Sequence, residues 1–191
     1  MIVRSDAGPE PSVDEEALVH SAQGDRAAFA PLYERYVDRV YAYLRARTAS
    51  EEDAADLTQQ VFLRVLDALP RTKSQHLVFA PWLFRIARNA AIDAHRRHRD
   101  SVAWDLLPLD LHPTTNDDLD ASLMRAEAGA RLREQLQCLS LDTREMLALR
   151  FGVGLSVAEV AVVMGKSEAA VKQQIVRTVR KLRTQYDDTA Y

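Results

Sequence analysis

The sequence predicts an all-α protein in which a flexible acidic linker joins two small helical domains. Apolar residues recur at three- and four-residue spacing through most of the 191 residues, which is the period of an amphipathic helix, and no segment alternates as a strand does. The pattern breaks at 100–121, where prolines, threonines and aspartates interrupt it. We therefore expect a disordered segment at 1–11, a helical domain at 12–99, the linker at 100–121 and a second helical domain at 122–186.

Capping residues and prolines place the first helices of the N-terminal domain. Asp25 is a candidate N-cap, but Pro31 stands inside the apolar repeat that follows, so that helix must begin later or bend. Ser50 and Asp53 match a capping box at the start of the next helix, which Pro70 closes. The spacing therefore predicts helix boundaries near residues 50 and 70.

A further helix follows Pro81, a residue that suits the first helical position, and runs from Trp82 to about His98. One side of this helix is apolar, with Leu83, Ile86, Ala87, Ala90 and Ala94. Its remaining surface is polar and mostly basic, with Arg85, Arg88, Asn89, Asp93, Arg96 and Arg97. A basic helix surface of this kind suits contact with an anionic partner.

The second domain carries a helix-turn-helix pattern. Ser156 and Glu159 match a capping box that opens a short helix, and Gly165 suits the left-handed residue that ends it. Ser167 then caps a longer helix. A short helix, a tight turn with glycine and a longer helix form the motif that enters the DNA major groove. The residues expected to fill the angle between the two helices are Val160, Val171 and Ile175.

Charge is distributed unevenly along the chain. The formal net charge is -3, which does not by itself indicate a nucleic-acid partner. Counted by segment, however, residues 82–99 carry +4 and residues 164–183 carry +5, while residues 100–127 carry -6. Two basic helices separated by an acidic connector indicate two anion-binding surfaces rather than one.

The longer helix of the second domain presents side chains that can read DNA. Glutamine can bond adenine, lysine and arginine can bond guanine, and either cation can hold a phosphate. The first turn of a recognition helix normally reaches the bases, which makes Lys172 and Gln173, with Gln174 or Arg177, the candidate base readers. The basic residues further along, Arg180, Lys181 and Arg183, are expected to contact phosphates.

The composition argues against several other classes of protein. Cys138 is the only cysteine, which excludes an internal disulfide, and the chain lacks both an apolar run of membrane-spanning length and a secretory signal. We therefore expect a reduced, cytoplasmic protein without membrane insertion.

The sequence also offers no complete catalytic or metal site. Asp53 and Asp56 could be paired catalytic carboxylates, but no nucleophile or phosphate-binding loop lies nearby in the sequence. His95 and His98 could share a metal ion, but no further ligand completes the set. No enzyme, metal site or cofactor is predicted.

Four stretches of the chain resemble, in the same order, the sigma-70 family, and specifically the small two-domain extracytoplasmic-function (ECF) sigma factors of bacteria. They are FAPLYERY at 29–36, DAADLTQQVFLRV at 53–65, WLFRIARNAAIDAHRR at 82–97, and the segment 141–183 that contains the helix-turn-helix. Together they cover most of the chain. The resemblance implies that 12–99 is sigma region 2 and that 122–186 is sigma region 4.

The resemblance also implies a function and its residues. The family guides core RNA polymerase to promoters: region 2 binds the clamp of the largest subunit and reads the −10 element, and region 4 binds the flap of the second-largest subunit and reads the −35 element. An anti-sigma factor is a further possible partner. The residues that match the clamp-binding helix are Asp53, Asp56, Gln59, Gln60, Phe62 and Leu63. Those assigned to −10 DNA are Trp82, Arg85, Arg88, Asn89, Asp93, Arg96 and Arg97, and the loop at 76–80 matches a base-holding loop.

Two other interpretations stay open from the residues alone. A dimeric helix-turn-helix regulator would use the first domain for dimerisation or ligand sensing, and would bind symmetric half-sites without polymerase. An adaptor whose helices only dock protein partners would keep its activity when Lys172 or Arg177 is changed. Transcription with purified core polymerase separates all three.

Overall fold

The computed structural model describes residues 13–72, 77–97, 129 and 132–189. In these residues the structure is helical without a strand, which confirms the all-α prediction. The principal helices are α1 (Val13–Gly24), α2 (Ala30–Arg45), α3 (Glu51–Ala68), α4 (Phe79–Arg97), α5 (Leu141–Leu147), α6 (Val157–Met164) and α7 (Glu168–Thr189). Residues 132–137 are also helical. The segment 1–11 and the linker at 100–121 lie outside the described residues.

The structure shows how α2 accommodates Pro31, for which the sequence left two possibilities, a later start or a bend. Asp25 does not cap α2; its Oδ1 accepts a hydrogen bond from the backbone N–H of Ala27 at 2.9 Å and so caps a 3-10 turn, Arg26–Phe29. The α-helix then begins at Ala30 with Pro31 in its first turn, where no intrahelical donor is needed. The helix therefore starts later rather than bending.

The N-cap predicted for α3 is confirmed, but the full capping box is not, because the Asp53 carboxylate accepts from Ser50 Oγ and not from the Ser50 backbone N–H. Ser50 Oγ accepts from the backbone N–H of Asp53 at 3.0 Å, and α3 starts at Glu51. The helix ends at Ala68, and Pro70 lies in the short 3-10 turn that follows.

The start of α4, predicted at Trp82, lies three residues earlier. The helix begins at Phe79, so Pro81 occupies its third position, still within the first turn that tolerates a missing N–H. Phe79 and Ala80 were expected in a base-holding loop; instead they are helical and buried, with 0% and 6% of their surface exposed. Proline favours the first position of a helix, but burying the Phe79 ring stabilises a helix that begins two residues before Pro81. His76 of that loop lies outside the described residues.

Aromatic side chains form the centre of the first bundle, α1–α4. The ring centroids of Tyr36 and Phe79 are 5.3 Å apart. Those of Tyr43 and Phe84 are 5.6 Å apart, and these two rings pack edge to face. Phe84 is fully buried although the predicted apolar stripe omitted it. The helix buries a wider face than one stripe because it packs on two sides, against α2 and α3 and against the second bundle.

The helix-turn-helix prediction is confirmed in the second bundle, α5–α7. Ser156 Oγ accepts from the Glu159 N–H at 3.1 Å, while Glu159 Oε2 accepts from the Ser156 N–H at 2.7 Å. Gly165 ends α6 with a φ of 64°, a left-handed conformation that favours glycine. The residues between the helices, Val160, Val171 and Ile175, are buried as predicted.

The two bundles share one continuous core, a contact that the sequence did not predict. Met146, Leu149 and Val153 from the second bundle belong to the same buried cluster as the residues of α2 and α4. Helix α6 packs along α4. In the part of the chain described here, no helix is long and apolar enough to cross a membrane. The fold therefore brings the helix-turn-helix directly against the basic helix of the first bundle.

Candidate nucleic-acid and polymerase interfaces

Helix α7 presents most of the predicted −35 readers on an open surface. Its start is fixed by Ser167, whose Oγ accepts from the backbone N–H of Ala170 at 3.3 Å. Buried Val171 and Ile175 then orient the opposite side of the helix outward. The exposed side chains are Lys172, Gln173, Arg177, Arg180 and Lys181. This face is cationic along three helical turns.

Gln174 is placed differently from the other candidate readers. Its Nε2 donates to Thr143 Oγ1 at 3.1 Å, and the side chain is partly buried. Thr143 lies in α5, so this bond fixes the recognition helix against the rest of the second bundle. Gln174 thus supports α7 in this structure instead of pointing outward with Gln173.

The predicted −10 residues fall into two groups along α4. The C-terminal group is exposed and consists of Asn89, Asp93, Arg96 and Arg97. Three of the final residues of the helix are basic, at the end where the helix dipole favours cations. This group remains accessible to a nucleic acid in the structure as it stands.

The N-terminal group faces the second bundle. Trp82 and Arg85 line a crevice of about 320 Å³ together with Glu159 and Val162 of α6. Arg88 is only one-quarter exposed, and its Nε lies 3.8 Å from Glu145 Oε1 in α5. The second bundle therefore covers parts of Trp82 and Arg88, two residues that the sequence assigned to −10 DNA, whereas Arg85 is exposed.

The predicted clamp-binding face of α3 is mostly open. Asp53, Asp56, Gln59, Gln60 and Leu63 are exposed, with Leu63 at 54%. Asp53 also accepts a hydrogen bond from Ser50 Oγ at 2.7 Å, so one of its oxygens takes part in the helix cap.

Phe62 is an exception within that face. It is 5% exposed and packs edge to face against Tyr33, with ring centroids 4.8 Å apart. Its neighbour Leu63 points to solvent instead. Phe62 therefore anchors α3 in the core and offers little surface to a partner.

A second crevice, of about 260 Å³, joins the α3 face to the end of α4. Asp53, Asp56 and Gln60 line one side, and Arg47, His95 and Arg97 contribute cationic or ionisable groups to the other. The fold thus brings the predicted clamp-binding residues next to the exposed −10 residues. Within the described ranges no three histidine, cysteine or acidic side chains are grouped to hold a metal ion.

A buried polar cluster crosses the interface between the bundles; we call Glu145, Tyr43, Arg47 and Arg88 the Glu145 cluster. Glu145, from α5, accepts from Arg47 Nη2 at 2.8 Å and from the Tyr43 hydroxyl at 2.5 Å. The side chains of Arg47 and Glu145 are 1% and 5% exposed. Burial raises the pKa of Tyr43, so its hydroxyl keeps the proton that it donates to Glu145.

Arg39 makes a second polar contact between the bundles. Its Nη2 and Nε donate to the backbone carbonyl of Val153 at 2.7 and 3.2 Å. The guanidinium also lies over the rings of Tyr36 and Phe84, at 5.0 and 5.7 Å from their centroids. Arg39 therefore ties the turn after α5 to the aromatic centre of the first bundle.

Sequence reasoning missed Glu145, Arg47 and Arg39 as a group because their contacts are 98 to 114 residues apart along the chain. One signal was available: Glu145 stands four residues before the apolar Leu149, on the face of the helix that turns inward. A charged residue on an inward face predicts a partner, although not which one.

Each of the two bundles matches a known protein family. The Sigma-70 region 2 family matches residues 32–101, and the Sigma-70, region 4 family matches residues 129–182. The RNA polymerase sigma factor NccH of Alcaligenes xylosoxydans xylosoxydans is 33% identical over 180 residues, covering 91% of this chain and 94% of NccH. The chain belongs to the sigma-70 family, in its ECF group. It is therefore a promoter-specific transcription initiation factor that acts with core RNA polymerase.

One further relative and one solved structure are also similar to this chain. The ECF RNA polymerase sigma factor BldN of Streptomyces coelicolor is 37% identical over 183 residues; the aligned part is 91% of this sigma factor but 66% of BldN. Among solved structures, CnrH in complex with the cytosolic domain of CnrY is 28% identical with a TM-score of 0.64, covering 91% of this chain and 97% of that chain. By the two family matches, region 2 includes most of α2 with α3 and α4 of the first bundle, and region 4 includes α5, α6 and most of α7; the names region 2 and region 4 are used below for the two bundles.

Proposed function

We propose that this sigma factor reads the −35 element with α7 and the −10 element with α4. The observation that carries the proposal is the exposed cationic face of α7, which follows a capped helix and a left-handed glycine turn. In this geometry Lys172 and Gln173 lie in the first turns and reach base edges, while Arg180 and Lys181 lie further along and hold phosphates. Arg177 lies between the two groups.

On the −10 side, Asn89, Asp93, Arg96 and Arg97 form the surface that meets promoter DNA first, because they are exposed. Trp82 offers an aromatic face on which an unpaired base stacks. Arg85 and Arg88 complete this surface. Trp82 and Arg88, however, are only partly exposed and lie against region 4 in the structure, whereas Arg85 is exposed.

The clamp of the largest polymerase subunit binds the exposed face of α3. Asp53, Asp56, Gln59 and Gln60 supply polar contacts, and Leu63 supplies the apolar one. On region 4, Phe151 is 61% exposed and Leu141 is 52% exposed. These two exposed apolar side chains are the residues that we assign to binding of the polymerase flap.

Three further points belong to the proposal. The sigma factor carries no catalytic activity of its own, since the polymerase supplies the chemistry. It works in the cytoplasm, where bacterial polymerase and promoters meet. An anti-sigma factor holds it in its inactive state; the support is CnrH, which was solved in complex with the cytosolic domain of another protein, CnrY. The dimeric regulator is disfavoured because the family match extends through region 2.

The assignment of base readers and phosphate holders predicts different responses to mutation. With holoenzyme and a library randomised at the −35 element, Lys172→Ala or Gln173→Ala should change preference at one or two base pairs by ~1–3 kcal/mol each. The reason is that a lost base contact affects one position only. Selected sequences before and after mutation give the measurement.

Arg180→Ala is the matched comparison on the same helix. It should weaken binding to all sequences alike and reduce the slope of log affinity against log salt by about 1, because one fewer counterion is released. If Lys172→Ala and Arg180→Ala weakened every sequence equally, α7 would hold DNA without reading it.

A further inference from the structure

An exposed apolar side chain lies in the middle of the cationic face of α7. Val176 is 51% exposed, although valine is a residue type that folded chains usually bury. Lys172 and Gln173 precede it by four and three residues, and Arg177 and Arg180 follow it by one and four. Residues three and four apart are neighbours on a helix surface, so the polar residues assigned to DNA surround Val176.

The packing of the second bundle does not use this side chain. Helix α7 packs on α5 and α6, and it contributes Val171 and Ile175 to the buried cluster. Val176 is not a member of that cluster among the residues that the structure describes. Its isopropyl group is therefore available to the same partner as the polar side chains around it.

The major groove of DNA offers an apolar side chain only one good contact. Every base pair presents hydrogen-bonding groups there, and thymine alone adds a methyl group. An isopropyl group placed against a donor or acceptor removes it from water without replacing its hydrogen bond, which is unfavourable. Against the thymine methyl, the same group buries apolar surface on both partners. Val176 therefore favours thymine over the other three bases.

We propose that Val176 is a specificity-determining residue that reads the 5-methyl group of a thymine in the −35 element. The inference rests on the proposed function, since it requires α7 to lie in the major groove. Val176 lies ~4.5 Å along the helix axis from Gln173, at 1.5 Å per residue, and neighbouring base pairs are ~3.4 Å apart. The thymine therefore belongs to a base pair next to the one that Gln173 reads.

Replacing thymine by deoxyuridine tests the proposal because the two bases differ only in the 5-methyl group. The −35 element that wild-type holoenzyme selects from the randomised library is synthesised with deoxyuridine at each thymine position in turn. Competition against the unmodified duplex then gives the relative affinity of the holoenzyme. At one position, next to the pair read by Gln173, deoxyuridine should weaken wild-type binding about fourfold, because one methyl group is no longer buried.

Val176→Ala should bring that ratio close to one, because the shorter side chain does not reach the methyl group. The matched control is Val179→Ala, which shortens a second exposed valine of α7, 42% exposed, that lies farther from the start of the helix. This control should keep the about fourfold preference for thymine. Both variants should keep the helical circular dichroism of the wild type, because both side chains are exposed.

Several results would overturn the proposal. One is a selected −35 element with no thymine in either base pair next to the one read by Gln173. Another is wild-type binding that deoxyuridine does not change at any position. A third is a preference for thymine that persists in Val176→Ala or that Val179→Ala also removes.

The same holoenzyme experiments separate this inference from the proposed function. In each of those three cases, Lys172→Ala and Gln173→Ala can still change the preferred −35 sequence, and α7 then remains the reading helix without a thymine contact at Val176. A holoenzyme that selected no −35 sequence at all would overturn the proposed function together with this inference.

Discussion

Promoter DNA mixed with the sigma factor alone should contain no permanganate-reactive thymines, whereas the same DNA with holoenzyme should react across the −10 region. Opening about ten base pairs costs more than ~10 kcal/mol, at ~1.4 kcal/mol for each step. Stacking of one base on an aromatic side chain returns only ~1–3 kcal/mol. Trp82 is the aromatic side chain assigned to the −10 surface, so the free chain cannot meet this cost.

The holoenzyme reaction supplies an internal control for that prediction. Trp82→Ala should reduce the reactivity of thymines at the upstream edge of the bubble and leave promoter binding at the −35 element unchanged, because α7 is not altered. The net charge also argues against strand opening by the free chain, because a chain with a formal net charge of -3 has little affinity for DNA. Strand opening by the isolated sigma factor would show that the energetic argument is mistaken.

Phe84→Ala should lower the free energy of unfolding by about 3–5 kcal/mol, the largest effect expected of a single substitution here. Phe84 has no exposed surface, packs against Tyr43, and lies under the guanidinium of Arg39. Its removal leaves a cavity where region 2 meets region 4. Chemical denaturation of the full chain, followed by circular dichroism, gives the measurement.

Phe151→Ala is the matched control because it deletes the same ring from a position that is 61% exposed. Its free energy of unfolding should change by about 0.5 kcal/mol or less. Equal losses in the two variants would mean that Phe84 is not the packed centre described above. Phe151→Ala should instead affect flap binding, if the surface of region 4 is used as proposed.

Local structure followed from the sequence wherever one or two neighbouring residues decide it. The capping box of Ser156 and Glu159 and the left-handed Gly165 fixed the helix-turn-helix, because each acts over three or four residues. Ser50 did the same for α3. The start of α4 was placed wrongly because Pro81 is tolerated anywhere in the first turn, so only the burial of Phe79 decides where that turn begins.

The candidate site was predictable in its composition but not in its accessibility. Periodicity put Lys172, Gln173 and Arg180 on an outward face, and the structure agrees. Periodicity places Phe62 on the buried face, four residues before Leu66, and it was the family resemblance that assigned it to the clamp-binding face. Periodicity could not show that Arg88 faces Glu145, since that depends on a contact with a distant helix. The interface between the bundles was invisible for the same reason: its polar contacts join residues about a hundred positions apart.

The most direct test of the central claim is transcription in vitro from genomic DNA of the organism that encodes this sigma factor, with mapping of the RNA 5′ ends. Purified core polymerase with the sigma factor should give new start sites that share sequences near −10 and −35, and each component alone should give none of them. The Lys172→Ala variant should redistribute these starts. Starts that were identical with and without the sigma factor would contradict the account.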